Sequence, residues 1–218
     1  MMPLSLALLV AIVSLAQPAT LRARFIGNMA LAIDDGATTL MTDFPYQSGY
    51  SIYMTYRADQ IRSDTPRTLA LITHRHADHW ERALFDKTDW QVAGPADVVR
   101  SVPAPRVVAL TPHATFGALQ IKALETPHAN VGHYSYIVTW HGKRLYFSGD
   151  TESSAHLPGV GKLDVAFISP WLYRSALKRG ITIDARRIVI YHHAFGEQVP
   201  ECRGHCSVPR QGDIVEIR

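Results

Sequence analysis

The sequence predicts an α/β (α+β) chain in which two β-sheets lie between helices. Three observations carry that reading. About a dozen short runs rich in β-branched, Leu and aromatic residues are separated by turns containing Gly, Pro or Asp. Helix-like stretches are interspersed among these runs, the pattern of sheets packed against helices. Four of the apolar runs lead into histidine or aspartate, and α/β sites gather at the carboxyl ends of strands.

The elements follow in order. Residues 21–27, 29–33 and 38–42 read as strands, with Asp34-Asp35-Gly36 as a hairpin-type turn. A polar, aromatic loop occupies 43–56, and a loop that long is usually functional. Residues 57–62 read as a short helix, 67–73 as a strand and 80–85 as a helix opening. Residues 91–94 read as a strand and 95–102 as a helix with Pro95 in its first turn. Strands are expected at 106–110 and 119–124. Residues 134–140 and 143–148 pair across His141-Gly142, and 163–169, 187–191 and 214–217 complete the set.

At 218 residues, 47% hydrophobic and 19% charged, the composition is that of a globular chain with a full core. Residues 20–218 read as one domain. The net charge is +3 without any run of like charges, which lacks the clustered basic face of a nucleic-acid reader. A small-molecule substrate is the expected partner. Residues 4–16 form an apolar run, shorter than the roughly 20 residues that span a bilayer. The run suits the centre of a signal peptide, with Ser14 and Ala16 before a cut. Read as a signal peptide, residues 1–19 direct export, periplasmic or secreted, and leave no stable membrane insertion; read as a plain N-terminal extension, they leave the chain cytoplasmic. Cys202 and Cys206, in Cys-Arg-Gly-His-Cys, fit a small disulfide loop or a surface loop with two thiols equally well. With His205 they supply three donors, one fewer than a structural zinc site needs.

The densest chemistry is Thr73-His74-Arg75-His76-Ala77-Asp78-His79-Trp80. His74, His76, Asp78 and His79 crowd six positions just after an apolar strand. Imidazole nitrogens and carboxylate oxygens suit zinc, manganese and iron. His74 and His76 fall on the loop, and Asp78 and His79 at the N-terminal end of the next helix. Other strand ends add candidates: Thr126-Pro127-His128, Gly149-Asp150, and the tandem His192-His193. His133 competes with His128, and strand alternation alone does not choose between His192 and His193. Asp150 also has the residue type of a helix N-cap. His113 and His141 sit in turns, His156 lies six residues past Asp150, and none of the three belongs to a dense cluster. Tyr46, Tyr50, Tyr53, Trp171 and Tyr173 are candidate pocket walls.

This set of motifs resembles the metallo-β-lactamase superfamily over nearly the whole mature chain. The H-x-H-x-D-H string carries the resemblance, followed in family order by His128, Gly149-Asp150 and a strand-terminal His192. Phe25 to Leu31 and Thr42-Asp43-Phe44-Pro45 are loosely similar to the branch that includes ascorbate-6-phosphate lactonase, although Phe44 separates an Asp-Pro pair adjacent in that branch. The resemblance implies a four-layer αββα sandwich. It implies two divalent metal ions, zinc first, with manganese or iron also compatible. His74, His76 and His128 would hold one ion, and Asp78, His79 and His192 the other, with Asp150 bridging. Asp78 would also handle a proton in catalysis. The implied activity is a metal-dependent hydrolase that uses a hydroxide shared by two metals on a small ester, lactone or phosphodiester. The alternatives are a phosphodiesterase acting on nucleic acid or phospholipid, and a metal-binding sensor without turnover.

Overall fold

A computed structural model describes residues 20–49, 52–62 and 65–218. The expected signal segment and Tyr50 lie outside the described residues. The first sheet contains β1 (Leu21–Gly27), β2 (Ala30–Asp34), β3 (Thr39–Thr42), β4 (Thr68–Leu71), β5 (Gln91–Ala93) and β13 (Ile214–Ile217), in the order β13-β1-β2-β3-β4-β5. The second contains β6 (His113–Phe116), β7 (Leu119–Glu125), β8 (Tyr134–Trp140), β9 (Lys143–Phe147), β10 (Leu163–Ile168), β11 (Ala185–Ile190) and β12 (Cys206–Ser207), in the order β12-β11-β10-β9-β8-β7-β6. Helices α1 (Arg82–Phe85) and α2 (Ala96–Val99) belong with the first sheet, and α3 (Pro170–Lys178) with the second.

Three apolar layers hold the stack together. Phe25, Leu31, Leu71, Phe147, Phe167 and their neighbours fill the space between the sheets. Phe147 and Phe167 stack there with centroids 5.1 Å apart. Ile72, Phe85, Trp90 and Val98 pack the first sheet against its helices, and Ile168, Leu172, Ala176 and Ile190 do the same for the second. The arrangement is the expected αββα sandwich. The sequence pattern follows the burial. β4 and β10 are covered on both faces and read as continuous apolar runs, whereas β7 alternates buried and exposed positions at its start.

Strand direction creates the site. β3 and β4 are parallel, β9, β10 and β11 are parallel, and β7 is antiparallel to β8, which is antiparallel to β9. The carboxyl ends of β7, β9, β10 and β11 therefore share one edge of the second sheet. At that edge the sheets are tied: Tyr136 Oη donates to the Ile72 carbonyl at 2.7 Å, and the Tyr134 N–H to the Thr73 carbonyl at 3.0 Å. The opposite edge is tied by Asp35. Its Oδ1 accepts the Ala37 and Thr38 N–H groups, and its Oδ2 accepts from Trp140 Nε1 at 3.2 Å and contacts His141 Nε2 at 2.7 Å. His141 and Gly142 both have positive φ, the backbone of a two-residue hairpin turn.

Several expected elements differ. Residues 106–110 form no ladder strand. Pro103 caps a 3-10 turn at Ala104–Arg106 that contains Pro105, and Val107 makes only a single bridge to Val92. The helix expected over 95–102 is limited to α2, with Pro95 as its cap rather than its first residue. The helix after His79 begins only at Arg82, because the Glu81 carboxylate caps it by accepting the Ala83 N–H. Asp78 and His79 thus lie in the preceding turn, closed by hydrogen bonds from the His79 and Trp80 N–H groups to the His76 carbonyl. No helix is capped by Asp150. A 3-10 turn starts later, at Ser154, and contains Pro158. His113 is the first residue of β6 rather than part of a turn. Helix α3 and the short β12 add to the expected elements. Cys202 and Cys206 form a disulfide.

Candidate metal centre

Four segments bring the seven expected donors together. The turn after β4 supplies His74, His76, Asp78 and His79, and the loops after β7, β9 and β11 supply His128, Asp150 and His192. Their donor atoms form three overlapping groups, each within 4.8 Å: His74, His76 and His128; His74, His79 and Asp150; Asp78, His79 and His192. In the first group His74 Nε2 lies 2.9 Å from His76 Nδ1, which lies 3.4 Å from His128 Nε2. In the last, His192 Nε2 is 3.2 Å from Asp78 Oδ2 and 3.1 Å from His79 Nε2. Asp150 stands between them, with Oδ2 3.3 Å from His79 and 3.8 Å from His128, and Oδ1 3.4 Å from His192.

The electrostatics divide the cluster in two. Burial pushes the pKa of His74 well below the ordinary imidazole value, and burial followed by nearby His128 lowers His76. Both rings are therefore neutral, with lone pairs available. On the other side, burial opposes charge on His192, yet Asp150 and Asp78 raise its pKa to about 9. His79 is likewise raised well above its ordinary value by Asp150 and Asp43, against its burial. Burial works against the Asp78 and Asp150 anions, but His192 and His79 hold both carboxyls well below their ordinary value. Positive charge is thus favoured between these groups. Asp150 Oδ1 is buried without a hydrogen-bond donor. A buried carboxylate oxygen left so is costly unless a cation completes it. The converging nitrogens and this orphaned oxygen fit divalent metal ions with nitrogen and oxygen ligands.

The tandem histidines separate cleanly. His192 adopts φ 53°, a left-handed conformation uncommon for residues other than Gly. Its N–H is caught by the Asn28 carbonyl at 2.6 Å. That kink sends His192 into the cluster and His193 away from it. His193 is buried against Phe25, with Nε2 2.9 Å from the Pro209 carbonyl and Nδ1 3.1 Å from that of Ala194.

His133 has a different position from His128. Its Nε2 accepts the Asp150 N–H at 2.8 Å, so Nδ1 carries the proton. That proton faces Thr126 Oγ1 at 2.8 Å, Thr126 contacts Ser135 Oγ at 3.0 Å, and Ser135 donates to the Ser148 carbonyl at 2.6 Å. The chain of donors has one consistent direction and fixes the backbone that carries Asp150. Burial, with His128 and His79 adding, pushes the His133 pKa down to about 3, which keeps its acceptor nitrogen free. Gly149 makes this possible: at φ +59°, a Cβ there would lie 2.3 Å from His133 Nε2.

Asp43 went unrecognised as a site residue. It follows β3, is buried, and accepts the Thr73 N–H at 2.6 Å and the Thr73 hydroxyl at 2.9 Å. Its Oδ2 also lies 3.2 Å from His79 Nδ1, orienting the ring whose Nε2 faces the cluster. A carboxylate behind a histidine donor is a recurrent feature of metal sites. The Thr42-Asp43-Phe44-Pro45 stretch was the available signal. Trp171 does reach the site. Its Nε1 donates to the Asp150 carbonyl at 3.1 Å and its ring packs edge-on to His192. Tyr53 hydrogen-bonds Asp78. Tyr46 is buried in the core, donating to the Met54 carbonyl at 2.6 Å, and Tyr173, on α3, packs toward the second sheet and reaches the Glu201 carbonyl. His156 meets Tyr146 Oη at 2.6 Å, His141 meets Asp35, and His113 is exposed on β6; none of the three shares the donor groups.

Residues 22–170 match the family model described as the Beta-lactamase superfamily domain. A UPF0173 metal-dependent hydrolase of Deinococcus radiodurans is 27% identical over 172 residues, covering 68% of this chain and 71% of that protein. Among solved structures, Igni18, a metallo hydrolase from the archaeon Ignicoccus hospitalis, aligns with a TM-score of 0.71 at 18% identity, over 91% of this chain and 99% of that one. A putative metal-dependent hydrolase from Parabacteroides distasonis aligns with a TM-score of 0.61 at 18% identity, covering 83% of this chain and 86% of that one. These structural likenesses extend the fold over nearly the full described chain.

Proposed function

The chain belongs to the metallo-β-lactamase superfamily, and from that premise we propose that it is a binuclear metal-dependent hydrolase of a small ester, lactone or phosphodiester. The observation that carries this reading is the convergence of seven nitrogen and oxygen donors around a buried carboxylate oxygen with no donor of its own. His74, His76 and His128 would hold one divalent ion, and Asp78, His79 and His192 the other, with Asp150 shared. Zinc suits this set, as do manganese and iron. When bound, two such ions would activate a water near neutral pH and polarise the electrophilic oxygen.

The remaining chemistry belongs to the chain. Asp78 takes up and returns a proton, and Tyr53, which hydrogen-bonds it, restrains its carboxylate. Asp43 orients His79, and the His133 chain holds the Asp150 backbone. Trp171 covers His192 and limits water on that side. The loosely shared opening segment favours a lactone, and the absence of a basic run favours a small molecule over nucleic acid. The Cys202–Cys206 disulfide supports an oxidising compartment and hence export.

Elemental analysis of the purified chain tests the metal content, with two divalent ions per chain expected. Ester, lactone, phosphodiester and β-lactam substrates should then be screened with and without chelator. Chelation should abolish turnover, and added zinc or manganese should restore it. A metal ratio near zero after reconstitution overturns the reading, as does activity that survives both chelation and Asp78→Ala.

A further inference from the structure

Beside the candidate metal centre lies a cavity of about 580 Å³ that includes none of its seven donors. The loop after β11, the segment before β13 and Met54 form its walls. Asn28 joins it to the centre: its carbonyl accepts the His192 N–H at 2.6 Å and its Oδ1 accepts the N–H of Met54 in the cavity wall at 3.0 Å. His193, turned from the cluster toward the Pro209 carbonyl, forms part of the lining with Val199 and Val208. The volume falls in the range of small-molecule sites, which are mostly apolar with a few placed polar groups.

Two features give the ligand its chemistry. Phe195 in the cavity wall is 88% exposed, and Ile52, two residues before Met54, is 66% exposed. Phe195 thus adds an accessible aromatic face to a cavity already lined by Val199, Val208 and Met54. The charges are unequal. Glu197 pairs with Arg174 at 3.4 Å, a guanidinium it shares with Glu201 at 3.5 Å, and accepts the Ala194 N–H at 2.9 Å. Arg210 uses only its backbone N–H, which donates to Asp213, and its guanidinium has no ion pair or hydrogen bond among the described residues. An exposed guanidinium without a direct ion pair thus borders an apolar interior.

We propose that this cavity binds the apolar chain of a monoanionic amphiphile, with Arg210 meeting its charged group. The substrate of the metal centre is then an ester or lactone of that class, a step that rests on the hydrolase reading. Binding of octane-1-sulfonate, butane-1-sulfonate and 1-octanol to the full chain, followed by titration calorimetry, tests the cavity without turnover. Octane-1-sulfonate should bind at least about tenfold more tightly than butane-1-sulfonate, since four extra methylenes leave water. Arg210→Gln should erase the advantage of the sulfonate over octanol. Val208→Phe, which narrows the cavity, and Phe195→Ala, which removes an exposed wall, should each weaken octane-1-sulfonate several-fold with circular dichroism and metal content unchanged. Affinity independent of chain length, or equal in wild type and all three variants, overturns the proposal. Chelator-sensitive cleavage of short esters alongside that result would leave the hydrolase reading standing. Chain-selective binding without hydrolysis of any ester or lactone would support the cavity and overturn the hydrolase reading.

Discussion

A single backbone conformation decides which of two adjacent histidines faces the cluster. His192 at φ 53°, held by the Asn28 carbonyl, points inward, and His193 packs outward on Phe25. His192→Ala should remove one metal per chain. His193→Ala should keep both and lose about 1–3 kcal/mol of stability by leaving the buried Pro209 carbonyl unpaired. Metal analysis with denaturant unfolding separates the two, and the reverse pattern would move the donor by one position. Gly149 is equally specific. Gly149→Ala meets both an unfavourable φ and a Cβ 2.3 Å from His133 Nε2. It should loosen the hold on Asp150 and weaken metal binding, read by chelator competition, even where the chain stays folded. Asp43→Asn keeps the size of the side chain but alters its contacts with Thr73 and His79. Metal affinity should fall by about 10–100-fold, and an unchanged affinity would show that His79 needs no orienting carboxylate.

Among the elements, the turn between β2 and β3 carries the clearest pH dependence. Burial works against the Asp35 anion, but His141 and the Ala37 and Thr38 N–H groups hold its carboxyl below the ordinary 3.8. Because the folded pKa is the lower one, this contribution is fully present above the unfolded value and lost as pH falls through it toward the folded value. Thermal midpoints of wild type and Asp35→Asn should therefore differ most above pH ~5 and converge below pH ~4. A difference constant from pH 6 to pH 3 would assign the turn's stability to its shape alone. The same element level explains the misread segments. A 3-10 turn at Ala104–Arg106 leads into the apolar run 107–110, which keeps only the Val107–Val92 bridge, and β12 is two residues that pair only because β11 already lies beside them.

For the whole molecule, the donors straddle the sandwich. Asp43 and the His74–His79 turn extend from the first sheet, and His128, Asp150 and His192 from the second. Metal binding therefore couples to the docking of the two sheets. A site at free metal about 1,000 times its Kd adds about 4 kcal/mol, which for a chain of this size raises the melting midpoint by about 10 °C. Scanning calorimetry with and without chelator should show that difference, and coincident midpoints would mean the centre forms no metal link between the sheets.

The amino-acid sequence by itself determined the fold class, the edge on which chemistry gathers, and seven donors that the structure brings together. Those features are local: apolar runs report burial, and a run ending in His or Asp reports a strand opening into a loop. The tertiary structure alone decided the rest. Asp43 and His133 act through partners 30 and 17 residues away, Thr73 and Asp150, and no spacing rule links them. Which of His192 and His193 turns inward depends on a carbonyl from the β1–β2 corner, far away in sequence. The cavity beside Arg210 exists only where three distant segments meet. Local patterning encodes what each strand buries, whereas side-chain aim and cavity shape arise from contacts made only once both sheets have packed.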